Sequence, residues 1–266
     1  MSNAAAGLER LLEIMRRLRD PRGGCAWDLK QSFESIAPST IEEAYEVADA
    51  IDRKNYPDLR SELGDLLFQV VFHSQLAEEA GHFRFGDVAE GIAEKLVRRH
   101  PHVFAGGPSQ SVASARESWE VLKSEERSAK GLGVLDDVPI SLPALRRAEK
   151  LGKRAATVGF DWPSMHGARA SVSSELTELD EAIESNHDPK RIFEELGDLL
   201  FATVNLARKI DVDPEYALRA SCNKFSSRFA AVVTLLSRDG RRIEDASAEE
   251  LDALWRQVKK GATPVD

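Results

Sequence analysis

Two sets of carboxylates, repeated along the chain, are the residues best placed to do chemistry. Glu43 and Glu46 stand three apart, as do Glu62 and Asp65; the second set is Glu175, Glu178, Glu195 and Asp198, at almost the same spacings. Residues three apart on a helix project from one face. Residues 52–58, Asp-Arg-Lys-Asn-Tyr-Pro-Asp, read as a short turn, so two antiparallel helices can bring four acids of each set into one cluster. Four facing carboxylates repel unless a counter-ion lies among them, and all-oxygen ligation is what Mg2+ or Mn2+ prefers. The plain alternative is a set of solvated acids on exposed helix faces. Their duplication within otherwise diverged sequence, embedded in apolar stripes, decides for the metal site.

Cations accompany the acids in both halves. Lys95 and Arg99 are four apart, as are Lys224 and Arg228, and such a pair one helical turn apart can meet phosphate oxygens, the arginine bidentately. Read alone, each pair is equally an ordinary solvated pair of cations. Trp255, on an amphipathic stretch, is read alone as equally a simple core residue or part of a site. His100 and His102 flank Pro101 at a helix end, where a capping or packing role is expected.

The elements that must carry these residues come in duplicate. Glu-Leu-Gly-Asp-Leu-Leu-Phe occurs at 62–68 and again at 195–201, an offset of 133 positions. The acid-rich segments 42–51 and 174–183 echo each other upstream, and the Lys/Arg pairs do so downstream. A period this long indicates two homologous domains rather than a solenoid. The join is expected between Lys130 and Pro143, where Gly131, Gly133, Pro139 and Pro143 interrupt the helical pattern, giving domains 1–135 and 136–266. Leu63, Leu66, Leu67, Val70 and Val71 form a stripe at helical spacing, repeated by Leu196, Leu199, Leu200 and Val204. Similar stripes run through 8–18, 40–51, 88–99, 143–156, 213–236 and 249–258, with Asp213-Pro214 and Ser247 as helix starts. No segment alternates at period two. The expected fold is all-α, two helix bundles in tandem. Gly64 and Gly197, mid-helix beside the acids, each cost about 1 kcal/mol relative to alanine, which implies close approach of a neighbouring helix or access to the acids.

Composition narrows the setting. Of 266 residues, 42% are apolar and 30% charged, with a net charge of −9. The apolar share suffices for a buried core, and the acidic balance argues against a nucleic-acid surface. Two isolated thiols, Cys25 and Cys222, make neither a disulfide framework nor a zinc site. The first ten residues lack a basic stretch followed by an apolar one, and no apolar run approaches membrane-spanning length. The expectation is a soluble cytoplasmic protein.

Glu-Glu-x-x-Glu at 42–46 followed by Glu-x-x-Asp at 62–65 resembles the signature of the all-α nucleoside triphosphate pyrophosphohydrolases, most closely the MazG proteins of bacteria. Arg-Arg-His-Pro-His-Val-Phe at 98–104 and Val-Gly-Phe-Asp-Trp at 158–162 extend the resemblance over essentially the whole chain. The resemblance implies Mg2+-dependent hydrolysis of nucleoside triphosphates between the α- and β-phosphates, with Mn2+ able to substitute, and a homodimer sharing helices across its interface. It also implies that the second domain carries the activity. There Glu175, Glu178, Glu195 and Asp198 would be metal ligands, with Glu175 or Glu178 as base. Lys224 and Arg228 would hold phosphates and Trp255 would lie near the nucleotide. Glu43, Glu46, Glu62 and Asp65, with Lys95 and Arg99, would be the first domain's counterparts. One position departs from the pattern: Ser174 stands where the first domain has Glu42. The competing reading is a helical dimeric scaffold or regulator with inert metal sites.

Overall fold

In a computed structural model of the chain, residues 3–106, 111–184 and 188–261 are described. Among them every regular element is helical, as the 3.6-residue periodicity predicts. The chain forms two compact units, Met1–Trp119 and Glu120–Asp266.

The first unit contains α1 (Asn3–Leu18), α2 (Phe33–Asp52), α3 (Tyr56–Glu79), α4 (Phe85–Arg99) and the short α5 (Pro101–Phe104); α6 (Val112–Ala129) runs across the division. The α2–α3 pair is the frame for the first set of acids. Ser32 caps α2, its hydroxyl accepting from the Ser35 amide, which satisfies a donor that the first turn leaves free. Between the helices lies a tight turn in which Lys54 takes a left-handed conformation (φ 54°). Arg53 closes it with ion pairs to Asp49 at 2.7 Å and Asp58 at 2.9 Å, and Asn55 caps α3 by accepting from the Asp58 amide. The turn thus forces α3 back antiparallel along α2. The core of this unit is Met15, Ile36, Val71, Phe72 and Leu76, joining α1, α2 and the C-terminal half of α3.

The second unit contains α7 (Ala144–Ala156), α8 (Met165–Glu184), α9 (Pro189–Lys209), α10 (Pro214–Arg238) and α11 (Ala248–Gly261). Helices α8 and α9 repeat the α2–α3 pair. Asp188, Asp213 and Ser247 start α9, α10 and α11 by accepting from the amides of Lys190, Tyr216 and Glu250, so both starts expected at 213–214 and 247 are in place. The loop 159–163 is clamped onto the end of α9. Asp161 accepts from Arg208 and from Lys209, the latter at 3.0 Å; these donors, led by Arg208, hold its carboxyl at about 2. Lys209 also donates to the Trp162 carbonyl at 2.7 Å. Gly167 is required beneath this loop, because a Cβ there would come within 2.9 Å of the Trp162 ring.

The apolar stripes do not all face inward. The stripe expected at 63–71 buries Val71, but Leu63, Leu67 and Val70 are exposed; in the repeat Val204 is buried while Leu196 and Leu200 are exposed. The C-terminal halves of α3 and α9 supply core, and their N-terminal halves, which carry the acids, present apolar side chains to the outside. The close helix approach expected at Gly64 and Gly197 is likewise not made, since a Cβ at either would meet nothing within 4 Å. Of the two reasons the glycines allowed, open access beside the acids is the one the fold contains.

Candidate metal and nucleotide site

Each antiparallel pair brings carboxylates together as the spacing predicts, three at a time. Glu43 of α2 meets Glu62 and Asp65 of α3, and Glu175 of α8 meets Glu195 and Asp198 of α9; in each group one oxygen per residue lies within 4.8 Å of the others. All donors are oxygen, which suits a hard divalent cation. Charge without a counter-ion leaves its mark on the acids. Partial burial, then repulsion from Glu46 and Asp65, pushes the Glu43 carboxyl above the usual range. Glu62 is raised by burial and then by Glu46, Asp65 and Asp58, with Arg53 opposing. Glu175 is raised by burial and then by Glu178, Asp198 and Glu195.

These shifts carry a sign that can be measured. A carboxylate whose folded pKa lies above its unfolded value contributes stability that is complete below the unfolded value and is lost as pH rises through the folded one. Metal-free protein is therefore expected to melt at a higher temperature near pH 5 than near pH 7. A millimolar divalent cation should raise Tm at pH 7 and flatten that dependence. Differential scanning calorimetry with and without chelator checks this, and a metal-free Tm that rises from pH 5 to 7 would contradict the clustering.

The fourth acid of each set stands outside its triad. Glu46 adds its charge to the repulsion on Glu43. Glu178 instead accepts from the hydroxyl of Ser174, Oγ to Oε1 at 3.1 Å. Sequence reasoning missed Arg191, which stands one turn before Glu195 and pairs with it at 3.4 Å. The corresponding residue of the first unit, 133 positions earlier, is Asp58, so the i, i+4 spacing of opposite charges was a usable signal.

The predicted cations lie on other helices. Lys224 and Arg228 are on α10, which packs against α7 and α11. Arg228 is half-buried, with its Nε out of reach of an acceptor. It lines a groove of about 580 Å3 between α10 and α11, beside Ser227, Thr234, Arg238 and Gln257. Trp255 of α11 packs on Phe225 of α10, ring centroids 5.4 Å apart, so it sits one residue along from Lys224. Lys95 and Arg99 are on α4, and the Arg99 guanidinium lies over the Trp119 ring at 5.1 Å. His100 also packs on Trp119, at 4.8 Å between centroids, and its Nδ1 bonds the Leu96 carbonyl at 2.7 Å, the packing and capping role expected of it.

An all-helical chain with the same oxygen-only triad on both of its repeated helix pairs defines a class, that of tandem helical proteins with a group of acids in each repeat that could hold a metal ion. Residues 31–104 and 164–233 both match the MazG nucleotide pyrophosphohydrolase domain. The chain is 48% identical over 255 residues to a nucleoside triphosphate pyrophosphohydrolase of Escherichia coli (strain K12), covering 95% of this chain and 97% of that protein. It is 43% identical over 261 residues to the nucleoside triphosphate pyrophosphohydrolase/pyrophosphatase MazG of Thermotoga maritima, covering 98% and 99%. A solved structure of a mazG-related protein from Thermotoga maritima aligns at 29% identity with a TM-score of 0.38, over 44% of this chain and 98% of that one. The chain belongs to the MazG nucleotide pyrophosphohydrolase family and is a hydrolase.

Proposed function

We propose that this protein hydrolyses nucleoside triphosphates, ribo- or deoxy-, between the α- and β-phosphates, giving a monophosphate and pyrophosphate and clearing unwanted nucleotides from the pool. The observation that carries this reading is the oxygen-only triad of Glu175, Glu195 and Asp198, repeated by Glu43, Glu62 and Asp65. Each triad, with Glu178 or Glu46 beside it, would hold Mg2+, with Mn2+ able to substitute, and the bound ion would offset the charge of the triphosphate. In the second domain Glu178 or Glu175 orients and deprotonates the water that attacks phosphorus, Lys224 and Arg228 hold phosphate oxygens, and Trp255 lies beside the nucleotide. Lys95 and Arg99 are their counterparts in the first. The domains in this reading are 1–135 and 136–266.

The working form is a homodimer. Leu176 and Ile183 of α8, Leu196, Leu200 and Phe201 of α9, and Phe225 and Phe229 of α10 are exposed, and apolar surface on this scale beside a site calls for a partner. A second copy supplies matching apolar surface. Among the described residues no helix is long and apolar enough to cross a membrane, and both cysteines are free, which supports work in the reducing cytoplasm.

The test is a product assay by phosphorus NMR on the full chain with Mg2+ and a panel of triphosphates. Monophosphate and pyrophosphate, abolished by chelation, are expected. Orthophosphate with diphosphate would overturn the bond assignment, and no turnover with Mg2+ or Mn2+ would overturn the enzyme reading.

A further inference from the structure

The two units treat one junction in opposite ways: the place where the helix before the acid-bearing pair comes near the start of the helix after it. In the second unit α7 is tied to the start of α10. Arg146 pairs with Asp213, the residue that caps α10, at 2.6 Å, and with Glu149 at 3.1 Å. One cation thus bridges two carboxylates. In the first unit the residue that precedes α4 is Arg84, and the residue of α1 that stands 133 positions before Glu149 is Arg16. Both signs are reversed. Arg16 pairs with Glu13, three residues back on its own helix, and Arg84 pairs with Glu78 at 3.3 Å. Between α1, α3 and the start of α4 lies a cavity of about 370 Å3, which both arginines line together with Leu12, Ser74, Glu78 and Phe85.

We infer that this cavity binds a small organic phosphate, whose phosphate group bridges Arg16 and Arg84 as Arg146 bridges the two acids of the second unit. The volume falls at the lower end of small-molecule sites, which run from roughly 300 to 1,000 Å3. Guanidiniums from two different elements can each present paired donors to one phosphate. Their present partners compete weakly, because both pairs are exposed and exposed pairs contribute little. A guanidinium also has five donors, so a carboxylate on one side leaves others for an anion. Two arginines against Glu78 leave the lining net positive, in a chain whose net charge is −9. The rest of the wall suits the organic part. Leu12 and Phe85 are apolar, and the buried Ser74 donates its proton to the Val70 carbonyl at 2.8 Å, which leaves its oxygen to accept from a ligand hydroxyl. Ser74 stands nine residues past Asp65 on α3, about 13 Å along the helix, so this cavity is not the acid triad's own site.

The test titrates the full-length protein, in chelator, with adenosine monophosphate, ribose 5-phosphate and inorganic phosphate by isothermal titration calorimetry. The two organic phosphates are expected to bind saturably, and inorganic phosphate several-fold more weakly because it does not reach the apolar wall. Tighter binding of adenosine monophosphate than of ribose 5-phosphate would mean that a base is seated as well, and equal affinity that the sugar phosphate fills the site. Arg16→Gln and Arg84→Gln should each weaken binding about tenfold or more, the order of a hydrogen bond to a charged group. Arg84→Asp, which installs the second unit's residue, should abolish it. Both arginines are exposed, so these variants should keep their helices, which circular dichroism verifies. Lys224→Ala/Arg228→Ala should leave the arginine-dependent binding unchanged. Absence of saturable binding overturns the proposal, as does binding that survives the arginine substitutions. Equal affinity for inorganic phosphate would reduce the site to attraction of any anion, and loss of binding in Lys224→Ala/Arg228→Ala would put the ligand in the second unit; either result also overturns it. None of these readouts involves hydrolysis, so the hydrolase reading stands or falls separately.

Discussion

Glu178→Gln is expected to lower triphosphate hydrolysis roughly a thousandfold, within the span that a positioned general base contributes, while leaving Mn2+ binding by the second triad in place. Glutamine is isosteric and still accepts from the Ser174 hydroxyl through its amide oxygen, so the local geometry survives. What disappears is the charge that can take a proton from water. The mirror substitution in the first unit, Glu46→Gln, removes a charge that bears on Glu43 and should leave most of the activity, because the catalytic arrangement belongs to the second domain in this reading. The pair of variants is assayed by release of pyrophosphate, with circular dichroism as the check that both remain helical. Equal losses from both would assign catalysis to both repeats, and a loss confined to Glu46→Gln would reverse the assignment of domains. The scaffold alternative predicts no hydrolysis to lose in the first place.

Much of this arrangement was legible in the sequence because it is governed by short-range periodicity. Spacing of three places Glu62 and Asp65 on one side of α3 whatever else the chain does, and a seven-residue identity at 62–68 and 195–201 guarantees that α9 repeats it. Helix starts at Asp213 and Ser247 were readable for the same reason, since a cap needs only an acceptor within three residues of the first turn. The direction in which a stripe faces was not. An apolar stripe announces that a helix covers something, without saying whether its own chain or another copy supplies the cover. Leu63 and Val71 belong to one pattern in sequence, yet Leu63 is half exposed and Val71 is 1% exposed. The division of four acids into three and one was also out of reach, because spacing puts Glu43 and Glu46, like Glu175 and Glu178, on one face, and which of the two meets the acids of the facing helix depends on how the helices pack. Arg191 is not part of the repeated acid pattern, although its i, i+4 relation to Glu195 is plain in the sequence.

The same contrast along α3 gives the largest expected effect on stability. Phe72→Ala should destabilise the first unit by about 3–5 kcal/mol, as full truncation of a buried phenylalanine does. Phe72 is fully buried, packs edge-on against Phe68 with centroids 5.7 Å apart, and has the Arg19 guanidinium 5.5 Å from its ring centre. Arg19 is itself buried and ties three segments together, donating to Glu79 at 2.6 Å and to the carbonyls of Asp28 at 2.5 Å and Gln31 at 3.5 Å. Removing the ring leaves a cavity beside a buried charge, and it loosens the segment that leads into α2, the helix that carries Glu43. Leu63→Ala, on the same helix, is expected to change the stability of a single chain by less than about 1 kcal/mol, because that side chain is half exposed and little apolar area is lost from burial. In a homodimer its cost should appear as weakened association instead. Urea unfolding read at two protein concentrations separates the cases: Phe72→Ala lowers the midpoint at both, and Leu63→Ala lowers it chiefly when the protein is dilute. Equal, concentration-independent losses would mean that the apolar half of α3 does not meet a second copy.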